Sequence, residues 1–133
     1  MKEPRFMVAA TVLDSPDAQA LAAFYRQLLG WDVVADEEAD WVMLRPAGGS
    51  AGLSFQTEPA YVRPVWPSTG DQQQMMTHLD IATDDLAGAV ARACELGATI
   101  AEWQPQHDVR VMLDPAGHPF CLFEWSGINA DEK

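Results

Sequence analysis

One heptapeptide occurs twice in this chain, and it constrains the fold more than any other feature. Val42-Met43-Leu44-Arg45-Pro46-Ala47-Gly48 returns as Val111-Met112-Leu113-Asp114-Pro115-Ala116-Gly117, with six of seven residues unchanged. An internal repeat marks a duplicated structural unit. Each copy reads as a strand that runs into a Pro–Gly turn and then a second strand. Those second strands are Gly52-Leu53-Ser54-Phe55-Gln56 and Phe120-Cys121-Leu122-Phe123-Glu124. Upstream, Ala10-Thr11-Val12-Leu13-Asp14-Ser15-Pro16-Asp17 and His78-Leu79-Asp80-Ile81-Ala82-Thr83-Asp84-Asp85 each lead into a helical stretch. These stretches end at Leu29-Gly30 and Leu96-Gly97. Ala10 and Asp17 therefore fall opposite His78 and Asp85, and Ser54 falls opposite Cys121.

Each helix has its own support. In the first, Ser15 is placed to cap, Pro16 suits the first helical position and Asp17 complements the dipole. Leu21, Phe24, Tyr25 and Leu28 form one apolar stripe, and Gly30 stops the helix. In the second, Thr83 is placed to cap and Asp84 and Asp85 fill the first turn. Leu86, Ala89, Val90, Ala93 and Leu96 form the stripe, and Cys94 beside it reads as packing. The spacing predicts a strand over 6–13, a helix over 16–29 and strands near 31–36, 40–46 and 51–57. It predicts a second strand–helix–three-strand set at 76–82, 84–96, 98–102, 108–113 and 118–125. The expected class is α+β: two βαβββ modules in tandem, forming a shared cup-shaped mixed sheet. The chain 1–133 reads as one domain, with modules at about 6–57 and 76–125. The linker 58–75 carries Pro59, Pro64, Pro67 and Gly70, too much proline for a central strand. A loop of that length is commonly functional.

Composition excludes several classes of partner. The net charge of -12 argues against nucleic acid and against an anionic membrane surface, both of which need Lys and Arg. No apolar run approaches the ~20 residues that cross a bilayer. The first residues lack the apolar core of a secretory signal. Cys94 and Cys121 are too few for a disulfide framework, which points to a reducing cytoplasm. The acidic runs, Asp36-Glu37-Glu38 with Asp40 and Asp131-Glu132, read as solvated surface, while the field they create favours cationic ligands.

The chain resembles the vicinal oxygen chelate superfamily, which includes glyoxalase I, extradiol dioxygenases and bleomycin-resistance proteins. The residues that carry the likeness are Phe24-Tyr25 followed by Leu28-Leu29-Gly30-Trp31, then His78-Leu79-Asp80, and Asp114-Pro115-Ala116-Gly117-His118-Pro119. It spans nearly the whole sequence. Within the superfamily the chain is most similar to the glyoxalase-like domain proteins, with which it shares Trp66-Pro67 and Cys121. The resemblance implies four side chains that hold a divalent metal, one near the start and one near the end of each half. Those positions fall on Ala10, Ser54 (with Gln56 on the same strand face), His78 and Cys121. Ala10 offers no ligand atom, and Cys121 stands where metal-binding relatives carry Glu. No metal cofactor is the expectation, with His78 and Cys121 as remnants. The alternative is a divalent metal, such as a His–Cys zinc site completed by Asp80 or the linker.

Strand alternation assigns the lining of the cup. Ser54, Gln56, His78, Asp80, Cys121 and Phe123 face inward, with Ala10 and Val12. Tyr61 and Trp66 in the linker either close over a ligand or plug the open end of the sheet. His78 and Asp80 are the candidate catalytic pair, the carboxylate favouring a charged imidazole. Cys121 carries no adjacent activating group and reads as packing. Three functions compete: a protein that binds a small aromatic or cationic molecule, a metal-dependent lyase, isomerase or dioxygenase, and a metal-free enzyme using His78 and Asp80. A homodimer is expected, because apolar sheet edges in so small a domain invite pairing.

Overall fold

The computed structural model describes residues 3–125; the Asp131-Glu132 run lies outside them. The chain forms two tandem βαβββ modules and divides into two compact units, 1–61 and 62–133. Unit 1 holds β1 (Ala10–Ser15), α1 (Ala18–Leu29), β2 (Asp32–Asp36), β3 (Trp41–Arg45) and β4 (Gly52–Thr57). Unit 2 holds β5 (Leu79–Thr83), α2 (Leu86–Glu95), β6 (Thr99–Ile100), β7 (Val109–Leu113) and β8 (Pro119–Glu124). Each unit has a four-stranded sheet, in the orders β1-β4-β3-β2 and β5-β8-β7-β6. In both, the first strand runs parallel to the last and the remaining pairs are antiparallel.

The helix face of each sheet is its core. In unit 1, Leu53 and Phe55 are buried with Leu21, Phe24 and Tyr25 of α1. Tyr25 stacks on Phe55 at 5.6 Å between ring centroids, and Phe24 meets Tyr25 edge-on at 4.9 Å. In unit 2, Phe120, Leu122 and Met112 take the corresponding places. Each such side chain contributes about 1.5–3 kcal/mol on burial. Alternation then puts Ser54, Gln56, Cys121 and Phe123 on the opposite face, as the sequence predicts.

The sequence reading of the helix starts is corrected by two residues. The caps are Asp17 and Asp85, whose carboxylates accept from Ala20 N–H at 3.2 Å and Gly88 N–H at 3.0 Å. Ser15 and Thr83 act one step earlier: their hydroxyls accept from the Asp17 and Asp85 N–H groups at 3.0 and 3.2 Å. The first helical N–H is then satisfied from the last strand of the same unit. Ala18 N–H donates to Thr57 Oγ1 at 2.9 Å, and Leu86 N–H donates to Glu124 Oε1 at 3.1 Å. A Ser/Thr-x-Asp turn thus enters both helices, and the competing side-chain bonds push the cap downstream.

Further differences concern strand ends. β1 begins at Ala10 rather than residue 6, and Phe6, Met7 and Val8 ahead of it are exposed. β5 begins at Leu79, so His78 lies just before it, and β6 is only two residues long. Cys94 is exposed on α2 rather than packed. The linker forms no named strand, only a bridge from Val65 to Gln74. No helix among the described residues is long and apolar enough to cross a membrane.

Candidate functional site

On the open face of unit 1, strand pairing sets side chains in rows. Val12, Ser54 and Met43 form one row, and Asp14, Gln56 and Trp41 the next. Ser54 is buried and Gln56 is exposed, its amide donating to Asp14 Oδ1 at 3.3 Å. Beside the second row lies a cavity of about 430 Å³, lined by Glu37, Asp40, Trp41, Gln56 and Thr57. The hairpin between β2 and β3 builds one wall, with Glu38 at φ 59 making the turn and Thr57 Oγ1 donating to Ala39 O. Thr57 is therefore committed to structure. Glu37, Asp40 and Gln56 Oε1 supply acceptors, and Trp41 supplies an aromatic surface.

Unit 2 carries its polar groups one row earlier. Asp80 pairs with Cys121, and Cys121 with Val111; the following row is Ala82, Phe123 and Val109. His78 Nε2 lies 3.2 Å from Asp80 Oδ1. Ligand atoms of His78, Asp80 and Cys121 all fall within 4.8 Å of one another. Burial pushes the Cys121 thiol pKa up, and the Asp80 carboxylate, by charge and hydrogen bond, pushes it further. Cys121 is thus held as a thiol, which fits the sequence expectation that it is no activated nucleophile. Phe123 is half-buried.

Tyr61 and Trp66, paired in the sequence reading as a lid or plug, fall in different units. Tyr61 closes a turn on Glu58 O at 3.0 Å. Trp66 donates its indole N–H to Trp103 O at 3.1 Å, and the two rings sit 5.3 Å apart. His118, read from sequence as a turn residue, grips the buried Asp114 carboxylate through Nδ1 at 2.8 Å. Asp114 also accepts from Ala116 N–H and His118 N–H, both at 2.9 Å.

The sequence profile of the glyoxalase-like domain matches residues 10–123. The chain belongs to the glyoxalase-like domain family. No curated protein matches it significantly. Solved structures share the fold. A glyoxalase/bleomycin resistance protein/dioxygenase family enzyme from Burkholderia phytofirmans PsJN has a TM-score of 0.68 at 18% identity, covering 90% of this chain and 98% of its own. A lactoylglutathione lyase from Agrobacterium tumefaciens gives 0.58 at 19%, covering 92% and 96%. An antibiotic binding protein from Streptomyces sp. CB03234 gives 0.53 at 20%, covering 92% and 100%.

This glyoxalase-like domain does not fit the four-ligand metal set that its superfamily resemblance implies. Ala10 has no donor atom and Ser54 offers only a weak one. The remaining pair, imidazole and thiol, is a soft set unlike the oxygen-rich sets that hold hard divalent ions. Sequence reasoning missed Trp41, Glu37 and Asp40 as cavity lining, treating the acids as solvated surface and the indole as packing. The signal was their spacing: a tight hairpin turn returns residues 37 and 40 beside Trp41, and Trp41 pairs with Gln56.

Proposed function

We propose that this glyoxalase-like domain binds a small organic molecule with a cationic group, and that binding rather than metal-dependent turnover is its activity. The observation that carries the reading is the cavity at Trp41. Its volume of about 430 Å³ suits a small molecule. Two carboxylates beside an indole suit an ammonium group, through charge and through the face of the ring. Arg5, Arg26 and Arg45 of unit 1 do not line it. The protein's net charge of -12 raises the local concentration of cations on approach. The antibiotic binding relative from Streptomyces is a precedent for binding on this fold.

Choline and its neutral isostere 3,3-dimethylbutan-1-ol make a direct test, followed by calorimetry and by the Trp41 indole resonance. Choline binds more tightly, and the preference falls at least about tenfold in W41A and in the double variant E37Q/D40N. Equal binding of the two probes removes the cationic preference. Metal-dependent turnover in lyase, isomerase or dioxygenase assays would overturn the binding reading as a whole. The proposed protein is a homodimer in the cytoplasm, which light scattering and cell fractionation test separately.

A further inference from the structure

Between α1 and β2, on the helix side of the unit 1 sheet, lies a second cavity, of about 220 Å³. Gln19, Ala22, Ala23 and Arg26 recur at helical spacing and give the α1 wall, beside the core stripe of Leu21, Phe24 and Tyr25. Val42 and Leu44 of β3 form a buried floor, and Val33 of β2, 44% exposed, forms the far wall. Ala22 and Ala23 are too small to fill the space, so an apolar trough remains. Its ends are polar and opposite in sign. Gln19 holds Asp36 at one end, its amide donating to Asp36 Oδ1 at 2.8 Å. Arg26 stands two helical turns further along α1, a rise of about 10 Å. Both charges line the trough, yet no ion pair joins them. We propose that this trough binds a small zwitterion, an amino carboxylate whose charges stand at the two ends of an aliphatic chain.

Both end groups have capacity to spare. The Arg26 side chain makes no hydrogen bond or ion pair among the described residues. Asp36 commits Oδ1 to Gln19 and to Glu38 N–H, the latter at 2.7 Å, and its Oδ2 accepts nothing among the described residues. The helix dipole accounts for a cation in the last turn, and Arg92 holds that place in α2. Arg92, however, pairs with Glu95 at 3.4 Å, whereas Arg26 is left beside a cavity. An anion alone is opposed by the net charge of -12, and a cation alone by Arg26. A zwitterion meets neither opposition. Extended 6-aminohexanoate separates its charges by about 7 Å, and hydrogen bonds of about 2.9 Å at each end carry it between the two groups. The trough is distinct from the cavity at Trp41, because alternation along the β2–β3 hairpin sends Asp36 and Val42 to one face and Glu37 and Trp41 to the other.

The probe is 6-aminohexanoate, with hexanoate and hexylamine, each lacking one charge, as controls. Two-dimensional NMR follows the amide resonances of Ala22, Ala23 and Val33, while the Trp41 indole reports the other cavity. The zwitterion shifts the trough resonances and binds about fivefold more tightly than either control, the upper end for an exposed ion pair. R26Q lowers its affinity about fivefold, to that of hexylamine. D36N, which keeps an acceptor for Glu38 N–H, lowers it to that of hexanoate, and R92Q leaves it unchanged. A23L fills the trough with a good helix former and removes binding, so the site stays testable if R26Q or D36N folds poorly. Trough resonances that stay still, equal binding of the three probes, or an affinity unmoved by R26Q and D36N would each overturn the site. Shifts at the Trp41 indole alone would assign the probe to the other cavity and overturn it equally. Such a failure leaves the choline preference standing, because that titration reads the opposite face of the hairpin.

Discussion

The two modules share a backbone plan and divide their chemistry. Their helix entries match bond for bond: Ser15 with Thr83, Asp17 with Asp85, Thr57 with Glu124. Their open faces do not match. In unit 1 the polar row is Asp14 and Gln56, with Val12 and Ser54 before it. In unit 2 the polar row is Asp80 and Cys121, with Ala82 and Phe123 after it. Polarity has moved by two residues along equivalent strands. The scaffold tolerates this because the helix-facing residues, Phe55 and Leu122 among them, carry the packing, and alternation isolates one face from the other. A duplicated fold can thus keep its architecture while each half takes a different chemistry.

The turns of the repeated heptapeptide differ just as sharply, at its one mismatched position. Asp114 is buried, and its carboxylate accepts from Ala116 N–H and His118 N–H besides its ion pair with His118, holding the turn from Asp114 to His118. At Gly117, φ is +94 and the Arg63 side chain lies over the Cα where a Cβ would collide. Arg45, its counterpart, has a buried Nε with no hydrogen-bond partner among the described residues. Removing Asp114 strands buried donors, and D114A is expected to cost about 3 kcal/mol of stability. R45M removes an unsatisfied group and is expected to cost nothing or to stabilise by up to about 1 kcal/mol. Urea denaturation of the two variants measures both. Equal losses would erase the contrast between the turns.

The helix entries predict the opposite outcome, equality. D17A and D85A each remove a cap that satisfies one N–H, at about 1 kcal/mol apiece. S15A and T83A remove weaker bonds and cost less. If D85A cost nothing while D17A cost its full share, the match between modules would be geometric only. Thermal unfolding of the four variants resolves the ranking.

Much of this was legible in the sequence, and the reasons are particular. The heptapeptide repeat carried the topology because its Pro–Gly turns and flanking strands are local signals. The helix stripes carried the core because Leu21, Phe24 and Tyr25 recur at helical spacing. The caps were placed early because Ser15 and Thr83 are good caps in isolation, and only the geometry shows Asp17 and Asp85 taking the later N–H groups. The cluster of His78, Asp80 and Cys121 was half legible: alternation put His78 beside Asp80, but pairing Cys121 opposite Asp80 needs the register of β5 against β8. The cavity at Trp41 was hidden because it joins a hairpin turn to a strand end, a contact that periodicity does not encode.

The smallest effect concerns the two thiols, and it sharpens the contrast between an exposed helix and an open sheet face. Cys94 is exposed on α2, while Cys121 is half-buried on β8. Burial first, and Asp80 second, raise the Cys121 pKa, so at a given pH less of it is thiolate. The thiolate is the form that alkylates. In metal-free protein, iodoacetamide is therefore expected to label Cys94 first, and the rate at Cys121 to rise only at higher pH. D80N removes the carboxylate but leaves the burial, so it is expected to shift the Cys121 rate profile part of the way back toward lower pH. Peptide mapping of labelled protein across a pH series reads both rates. A Cys121 profile unmoved by D80N would assign the whole effect to burial and would leave Asp80 no electrostatic hold on the thiol opposite it.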